Sequence, residues 1–464
     1  MKLNDTIAAI ATPRGAGGIA IIRMSGSDAV EIAARMVKPS GRELSDLESH
    51  KLTLCRVYDS KNPDYMLDRA LVAVMYAPKS YTGENVVEIN CHGGFLAAEK
   101  ILGGILESGA RMAEAGEFTR RAFINGKTDL SGAEAVLDLM NASSEAGLHN
   151  AALSLTGELA RKIAEIRDGV LSLAAHVSAA ADYPEEVEQP EAEEVEAKLS
   201  ALRAELGRLA EGFNTGRIMR DGVRTAIVGK PNVGKSSILN ALLRFERAIV
   251  TDVPGTTRDT IEEVICVGGI ALRLIDTAGI RSAADEVERI GIERSESNIK
   301  LADLVLLVTD SSEKLSEDDM RIAAAVRDKK VILILNKTDK ETVAEFERTA
   351  EELNISPAAV VKTSAPKGGE PEGIDALEKV ISDMFVCGGV KYDEVYLTNE
   401  RQRDSVLKAD TALERAEDGL KTGMPYDLMF VDLEDAMYAL GEITGETVQE
   451  EIVDSVFERF CVGK

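Results

Sequence analysis

The sequence predicts a multidomain α/β protein: a P-loop nucleotide domain with a mixed, mainly parallel sheet, inserted into an all-α domain and preceded by an α+β domain. Three observations predict it. A glycine-rich loop joins an apolar run to a helix-like one near mid-chain, further apolar runs after it each end in a short polar motif, and helical periodicity flanks the region on both sides. The 464 residues allow about three domains.

Residues 1–120 mix strand-like runs (Gly18 to Met24, Ala70 to Tyr76, Asn85 to Asn90) with helical ones (Ser27 to Val37, Phe95 to Ser108), the pattern of the α+β domain. The stretch 121–219 turns helical: apolar residues recur at three- and four-residue spacing from Gly132 to Ala181, Tyr183-Pro184 stops the run, and Glu191 to Glu211 resumes it. The nucleotide domain occupies 220–385. From 386 to 464 the chain is helical again, over Asn399 to Leu420 and Tyr426 to Phe460, with Gly423-Met424-Pro425 as the turn. Because the ends of a compact domain often lie close together, one helical domain with an insertion is the simplest arrangement; two bundles in series is the alternative.

The loop itself is Gly229-Lys230-Pro231-Asn232-Val233-Gly234-Lys235-Ser236, between the apolar Arg224 to Val228 and the helical Ser237 to Leu243. Its backbone N–H groups can close around a polyphosphate at a helix N-terminus, Lys235 can reach the outer phosphates, and Ser236 can give an oxygen to Mg2+. Asp276-Thr277-Ala278-Gly279 ends the run Ala271 to Ile275, which sets a carboxylate near the magnesium and a glycine N–H near the γ-phosphate. Asn336-Lys337-Thr338-Asp339 ends Val331 to Leu335. A buried carboxylate at Asp339 would accept two hydrogen bonds from guanine, where adenine has no matching donor pair. Thr363-Ser364-Ala365 suits the loop that backs the base. The four motifs together point to GTP.

In many GTPases a glutamine directly after the Asp-x-x-Gly element orients the attacking water, but here that position is Ile280. Either the domain is a slow switch or the catalytic group comes from elsewhere, and Asp285, Glu286, Glu288 and Glu293 are candidates. The segment Asp252-Val253-Pro254-Gly255-Thr256-Thr257 lies at the switch I position, where Thr257 would complete the magnesium shell. No arginine finger is evident. The amide of Asn232 could help hold a monovalent cation, such as K+, against the phosphates in its place.

The formal net charge of −26 argues against a surface that coats nucleic acid by bulk electrostatics, so any RNA must meet a local basic patch or a partner. Much of the acidity lies in Glu185 to Glu196, read as a solvated connector. No apolar run has the length and freedom from charge of a membrane span, which predicts a cytoplasmic protein. The five cysteines are odd in number and scattered, and the four histidines form no ligand pair with them. Neither a disulfide framework nor a zinc site is expected.

The chain closely resembles the MnmE (TrmE) family of tRNA modification GTPases. The resemblance runs from Asp5-Thr6-Ile7 and Pro13 to Gly18 through Tyr81-Thr82-Gly83-Glu84-Asn85 and His92-Gly93-Gly94 to Cys461-Val462-Gly463-Lys464. Members usually carry isoleucine or leucine where Val462 stands, a departure that leaves the cysteine and lysine in place. The resemblance implies an N-terminal folate-binding and dimerisation domain, a split helical domain, and an inserted GTPase domain activated when two such domains meet around potassium. Asn232, Thr251, Val253 and Thr256 would hold that ion, and Glu288 matches the water-orienting glutamate, which removes the difficulty at Ile280. Pro254 replaces an alanine of some relatives. With Val233, Gly234, Ser237, Asp252, Gly255, Asn336, Lys337, Ser364 and Ala365, these positions make up the implied nucleotide site.

Members of the family work as homodimers with a flavin-containing partner, MnmG (GidA), to place an aminomethyl-type group on carbon 5 of the wobble uridine of certain tRNAs. They use a tetrahydrofolate one-carbon unit. The folate contacts implied here are Arg23, Glu88 and Lys127, with Lys464 at the same site: a carboxylate can pair with the pterin's N–H edge, and cations suit the glutamate tail. Cys461 would bring a thiol to the folate or to carbon 6 of uracil. The competing reading is a ribosome-assembly or signalling GTPase, a switch without covalent RNA chemistry. A P-loop kinase is made remote by Asn336 to Asp339.

Overall fold

The computed structural model describes residues 5–13, 15–183, 185–188, 190–245, 263–267, 269–275, 299–342, 348–364, 370–385 and 394–464. The chain forms two compact units, one of Met1–Leu137, Ser154–Arg203 and Lys408–Lys464, the other of Asp138–Leu153 and Ala204–Leu407. No described helix is long and apolar enough to cross a membrane.

In the first unit β1 (Ile7–Ile10), β2 (Ile19–Ser25), β3 (Val37–Pro39), β4 (Thr53–Tyr58), β5 (Met66–Met75), β6 (Val86–His92) and β7 (Arg111–Met112) form one sheet in the order β3-β4-β5-β6-β2-β1-β7. Neighbours are antiparallel except β1 and β7. Alternation along the strands sends Ile22, Met24, Val72 and Ile89 to one face, where they pack with Ile32 of α1 (Ala29–Ala34) and Ile101 and Ile105 of α2 (Phe95–Glu107). The other face carries Arg23 and Glu88. The expected helix Ser27 to Val37 is shorter, because Val37 to Pro39 leave it to pair with β4. Strands β1, β3, β4 and β7 are additions to the sequence reading.

A buried charge cluster ties this sheet to α3 (Glu117–Ile124). The side chains of Arg121 and Glu117 are 1% and 0% exposed. Arg121 donates to the Asp5 carboxylate at 2.7 Å, Glu117 at 3.0 Å and Glu84 at 3.1 Å, while Arg111 adds bonds to Glu117 at 2.7 Å and Asp5 at 2.8 Å. Burial works to raise the Glu117 carboxyl, but bonds from Arg111, the Glu114 amide and Arg121 outweigh it and hold it below its ordinary value. The same balance, burial against the two arginines, lowers Asp5.

The expected helical run Gly132 to Ala181 is three helices, α4 (Leu130–Asn141), α5 (Glu145–Leu155) and α6 (Glu158–Asp182), the last starting after a left-handed Gly157. Likewise Tyr426 to Phe460 divides into Tyr426–Thr444, closed by Gly445 at φ 93°, and Glu450–Phe457. Helix α6 packs along Tyr426–Thr444. The acidic connector is shorter than expected: α7 (Ala192–Asp221) begins within it, since Val195 is buried. Arg203 of α7 bonds Asp410, Glu414 and Glu417, all on the helix Glu400–Lys421.

The second unit holds β8 (Val223–Val228), β9 (Glu263–Val267), β10 (Ile270–Leu274), β11 (Leu304–Asp310), β12 (Lys330–Asn336) and β13 (Ala359–Lys362), ordered β13-β12-β11-β8-β10-β9. All neighbours are parallel except β9 and β10. Parallel strands covered on both faces are apolar throughout. Every residue of β11 is accordingly buried, as is β12 after Lys330. Helix α8 (Lys235–Phe245) covers one face through Ile238, Leu239 and Leu242, and Ala323 of the helix Glu317–Ala325 covers the other.

Replacing Glu117 by glutamine leaves two guanidiniums short of a buried charge and should cost about 3 kcal/mol of stability, read from denaturant midpoints. Because Glu117 and Asp5 are lowered on folding, their stabilisation is present above pH about 4 and lost as pH falls through their folded values. The wild-type first unit should therefore weaken in acid more steeply than the Glu117→Gln variant.

Candidate functional site

The nucleotide-type loop leaves β8 at Gly229 and turns into α8 at Lys235. Asn232 has a positive φ of 63°. Gly234 sits at φ 104°, where a Cβ would lie 2.1 Å from the Asn336 amide nitrogen. Only glycine permits that approach. Asn336, 1% exposed, donates to the Val233 carbonyl at 2.7 Å and accepts from the Thr363 hydroxyl at 3.1 Å. One amide thus joins the loop to the ends of β12 and β13. The Lys235 ammonium donates to the carbonyls of Gly229 and Lys230 at 2.7 and 2.8 Å, and burial lowers its pKa.

Lys337, also at φ 63°, pairs with Asp310 at 2.5 Å. Burial works to raise the Asp310 carboxyl, but bonds from Lys337 and Ser312 hold it below its ordinary value. Ser364 is buried and exchanges backbone bonds with Glu372. Asp339 is exposed, not buried as the sequence suggested, because the chain has already left the sheet at Asn336. Val233 is buried, and Ser236 and Ser237 are half-buried on the first turn of α8. Thr251, Asp252, Val253, Pro254, Gly255, Thr256, Thr257, Asp276, Thr277, Ala278, Gly279, Glu288 and Ala365 lie outside the described residues. The loop's donors suit an anion, and the Ser236 hydroxyl on α8 suits a hard cation beside it. Asp310 belongs to none of the sequence motifs; its signal is its place at the end of the apolar run from Leu304.

The second locus is the open face of the first sheet. Arg23 and Glu88 are register partners on β2 and β6, and their side chains pair at 2.8 Å with 19% and 20% exposure. The Arg23 guanidinium carbon stands 5.7 Å from the Tyr81 ring centroid and 5.8 Å from that of Phe118, within cation–π range. It also donates to the Gly463 carbonyl at 3.4 Å. Residues 461–464 lie alongside: Val462 bridges Ala115, the Gly116 N–H reaches the Cys461 carbonyl at 3.5 Å, and the Phe118 N–H reaches Lys464 O at 3.3 Å. A Cβ on Gly463, at φ 102°, would lie 2.5 Å from the Ile10 carbonyl.

The structure therefore brings Arg23, Glu88 and the stretch from Cys461 to Lys464 together, with the Cys461 side chain exposed and Lys464 half-buried. Lys127 bonds neither member of the pair and donates to the Pro78 carbonyl at 3.1 Å. The sequence marks Tyr81 only as part of a motif of the resemblance and Phe118 not at all, since an aromatic ring beside a cation is a tertiary event. A half-exposed carboxylate and cation among aromatic rings form a donor set suited to a flat heterocycle with an N–H edge.

Two family models match the chain: "GTP-binding protein TrmE N-terminus" over residues 6–127 and "MnmE helical domain" over residues 130–461. Among curated proteins, the tRNA modification GTPase MnmE of Geobacillus kaustophilus is 47% identical, covering 99% of both chains. Those of Clostridioides difficile and Bacillus subtilis are each 44% identical, covering 100% of both chains and 99% of this chain with 100% of the relative, respectively. On full-length likeness of this degree, the chain belongs to the MnmE family of tRNA modification GTPases.

Proposed function

We infer that this tRNA modification GTPase couples potassium-stimulated hydrolysis of GTP to a one-carbon transfer onto carbon 5 of the wobble uridine of certain tRNAs. It does so as a cytoplasmic homodimer with a flavin-containing partner, MnmG (GidA). The division into an N-terminal folate-binding domain (1–120), a helical domain in two parts (121–219 and 386–464) and a GTPase domain (220–385) belongs to the same reading. The observation that carries it is the stretch Cys461 to Lys464 laid beside the Arg23–Glu88 pair. A switch that only gates association has no use for a cysteine-bearing stretch held against an arginine–carboxylate pair.

On this reading Lys235 and the loop amides bind the phosphates of GTP, Ser236 and Thr257 hold Mg2+, and Asn336, Asp339, Ser364 and Ala365 hold the base. Asn232, Thr251, Val253 and Thr256 hold K+, which supplies the positive charge an arginine finger otherwise brings. Glu288 orients the water. A tetrahydrofolate derivative, which supplies the one-carbon unit, is bound by Arg23, Glu88, Lys127 and Lys464. Cys461 brings the thiol to the folate or to carbon 6 of the uracil.

GTP turnover should be more than about tenfold faster in K+ than in Na+ at equal ionic strength; equal rates would remove the cation assignment. Glu288→Ala should keep GTP affinity and lose about 100-fold or more in turnover, and a variant that still turns over normally would move that role elsewhere. In cells whose only copy carries Cys461→Ser, mass spectrometry of tRNA nucleosides should find the modified wobble uridine missing. Its persistence would favour the pure switch.

A further inference from the structure

The open face of the first sheet carries two cations that the folate and nucleotide sites leave unused. Arg56 of β4 and Arg69 of β5 are direct cross-strand partners. Both are exposed, and neither guanidinium bonds to a described residue. Lys38 of β3 partners Arg56 on its other side, though its ammonium is bound to the Ala34 carbonyl at 2.7 Å. The β5–β6 register, with Leu71 opposite Asn90, carries Arg69 to the level of His92. There the neighbouring carboxylate, Asp68, is taken up by the His92 ring at 2.7 Å and its main-chain N–H at 2.8 Å.

Like charges directly opposite each other destabilise a sheet. In a chain of net charge −26, carboxylates are abundant, yet none neutralises this pair among the described residues. An anionic ligand would turn the repulsion into attraction. Side chains alternate along the strands, so the next row on the same face holds Leu54 and Leu71, and the row beyond holds Glu88 and Arg23. From Glu88 to the level of Arg69 is four residues along β6, about 13 Å at ~3.3 Å per residue. A pterin joined to an aminobenzoyl group can bridge that span, and in a folate the aminobenzoyl group carries a chain of γ-linked glutamates with a carboxylate on each.

We propose that Arg56 and Arg69 hold the poly-γ-glutamate tail of the folate, with the pterin edge at Glu88 and Arg23 and the aminobenzoyl ring over Leu71. This rests on the folate reading of the Arg23–Glu88 pair. The two guanidiniums stand on strands about 4.8 Å apart, a separation comparable to that of successive tail carboxylates. Lys127 is the other candidate cation. It lies beside the Tyr81–Asn85 loop at the opposite end of β6 and is already bonded to Pro78. An RNA backbone is less well served, because phosphate binding draws on several cations along a track and this pair is flanked by an apolar row.

The test is calorimetry on the full chain with the monoglutamate and pentaglutamate forms of 5-formyltetrahydrofolate. Wild type should bind the pentaglutamate about fivefold tighter, with the advantage shrinking as salt is raised. The double variant Arg56→Gln/Arg69→Gln should lose the advantage, with any fall in monoglutamate affinity smaller than the fall for the pentaglutamate; removal of the repulsion leaves its folding intact. An advantage that survives in this variant, or disappears instead in Lys127→Ala, overturns the proposal. So does a variant that loses tRNA binding in a filter assay while keeping the tail preference. If neither form binds wild type, or if Arg23→Ala binds the monoglutamate normally, the folate reading itself fails and this proposal falls with it.

Discussion

A single guanidinium withdrawn from water governs the geometry of the first unit. Arg121 gathers Asp5, at the start of β1, Glu84, just before β6, and Glu117, on its own helix. Burying that much charge is costly and is sustained only because each carboxylate has a partner. Its reach extends further. Glu84 also accepts from Ser25, which bonds Thr82, and the Tyr81 hydroxyl is held by Thr119 of the same helix. The ring of Tyr81 then stands over Arg23. A residue with no contact to Arg23 thereby fixes the wall against which Arg23 is held.

The nucleotide-type loop uses a neutral version of the same device. One buried side-chain amide, that of Asn336, spans from β12 to the loop and is itself held by Thr363. Three chain segments, each at the C-terminal end of a parallel strand, are fixed by two hydrogen bonds. The absence of a Cβ on Gly234 is what allows that amide to come close. Ligand sites in open α/β sheets form at such strand ends, and here the positions of the backbone amides follow from it.

Much of this was legible in the sequence. The loop from Gly229 to Ser236 announces itself because its mechanics are local: strand, glycine-rich turn, helix. The runs that end at Asn336 and Lys362 were legible for the same reason. Strand β11 leaves no such mark although all seven of its residues are buried, because a run that leads into no motif looks like any other apolar stretch. The helix breaks near Ser144 and Gly157 were masked by continuous apolar spacing. The pairing of Arg23 with Glu88, the rings beside it and the return of Cys461 to Lys464 are long-range contacts. Composition and periodicity carry no trace of them; the family resemblance singled out Arg23, Glu88 and the Cys461–Lys464 stretch, but not the aromatic contacts.

The row of like charges on β4 and β5 also has a mechanical side. It lies next to β3, an edge strand of only three residues, so a like-charge pair of this sheet adjoins one of its shortest strands. Hydrogen exchange and fraying begin in such places, far below the free energy of global unfolding. On the tail proposal, the corner that carries Arg56 and Arg69 would resettle around tails of different length. Meanwhile β1, β2 and β6, pinned by Asp5 and Glu84, keep their register.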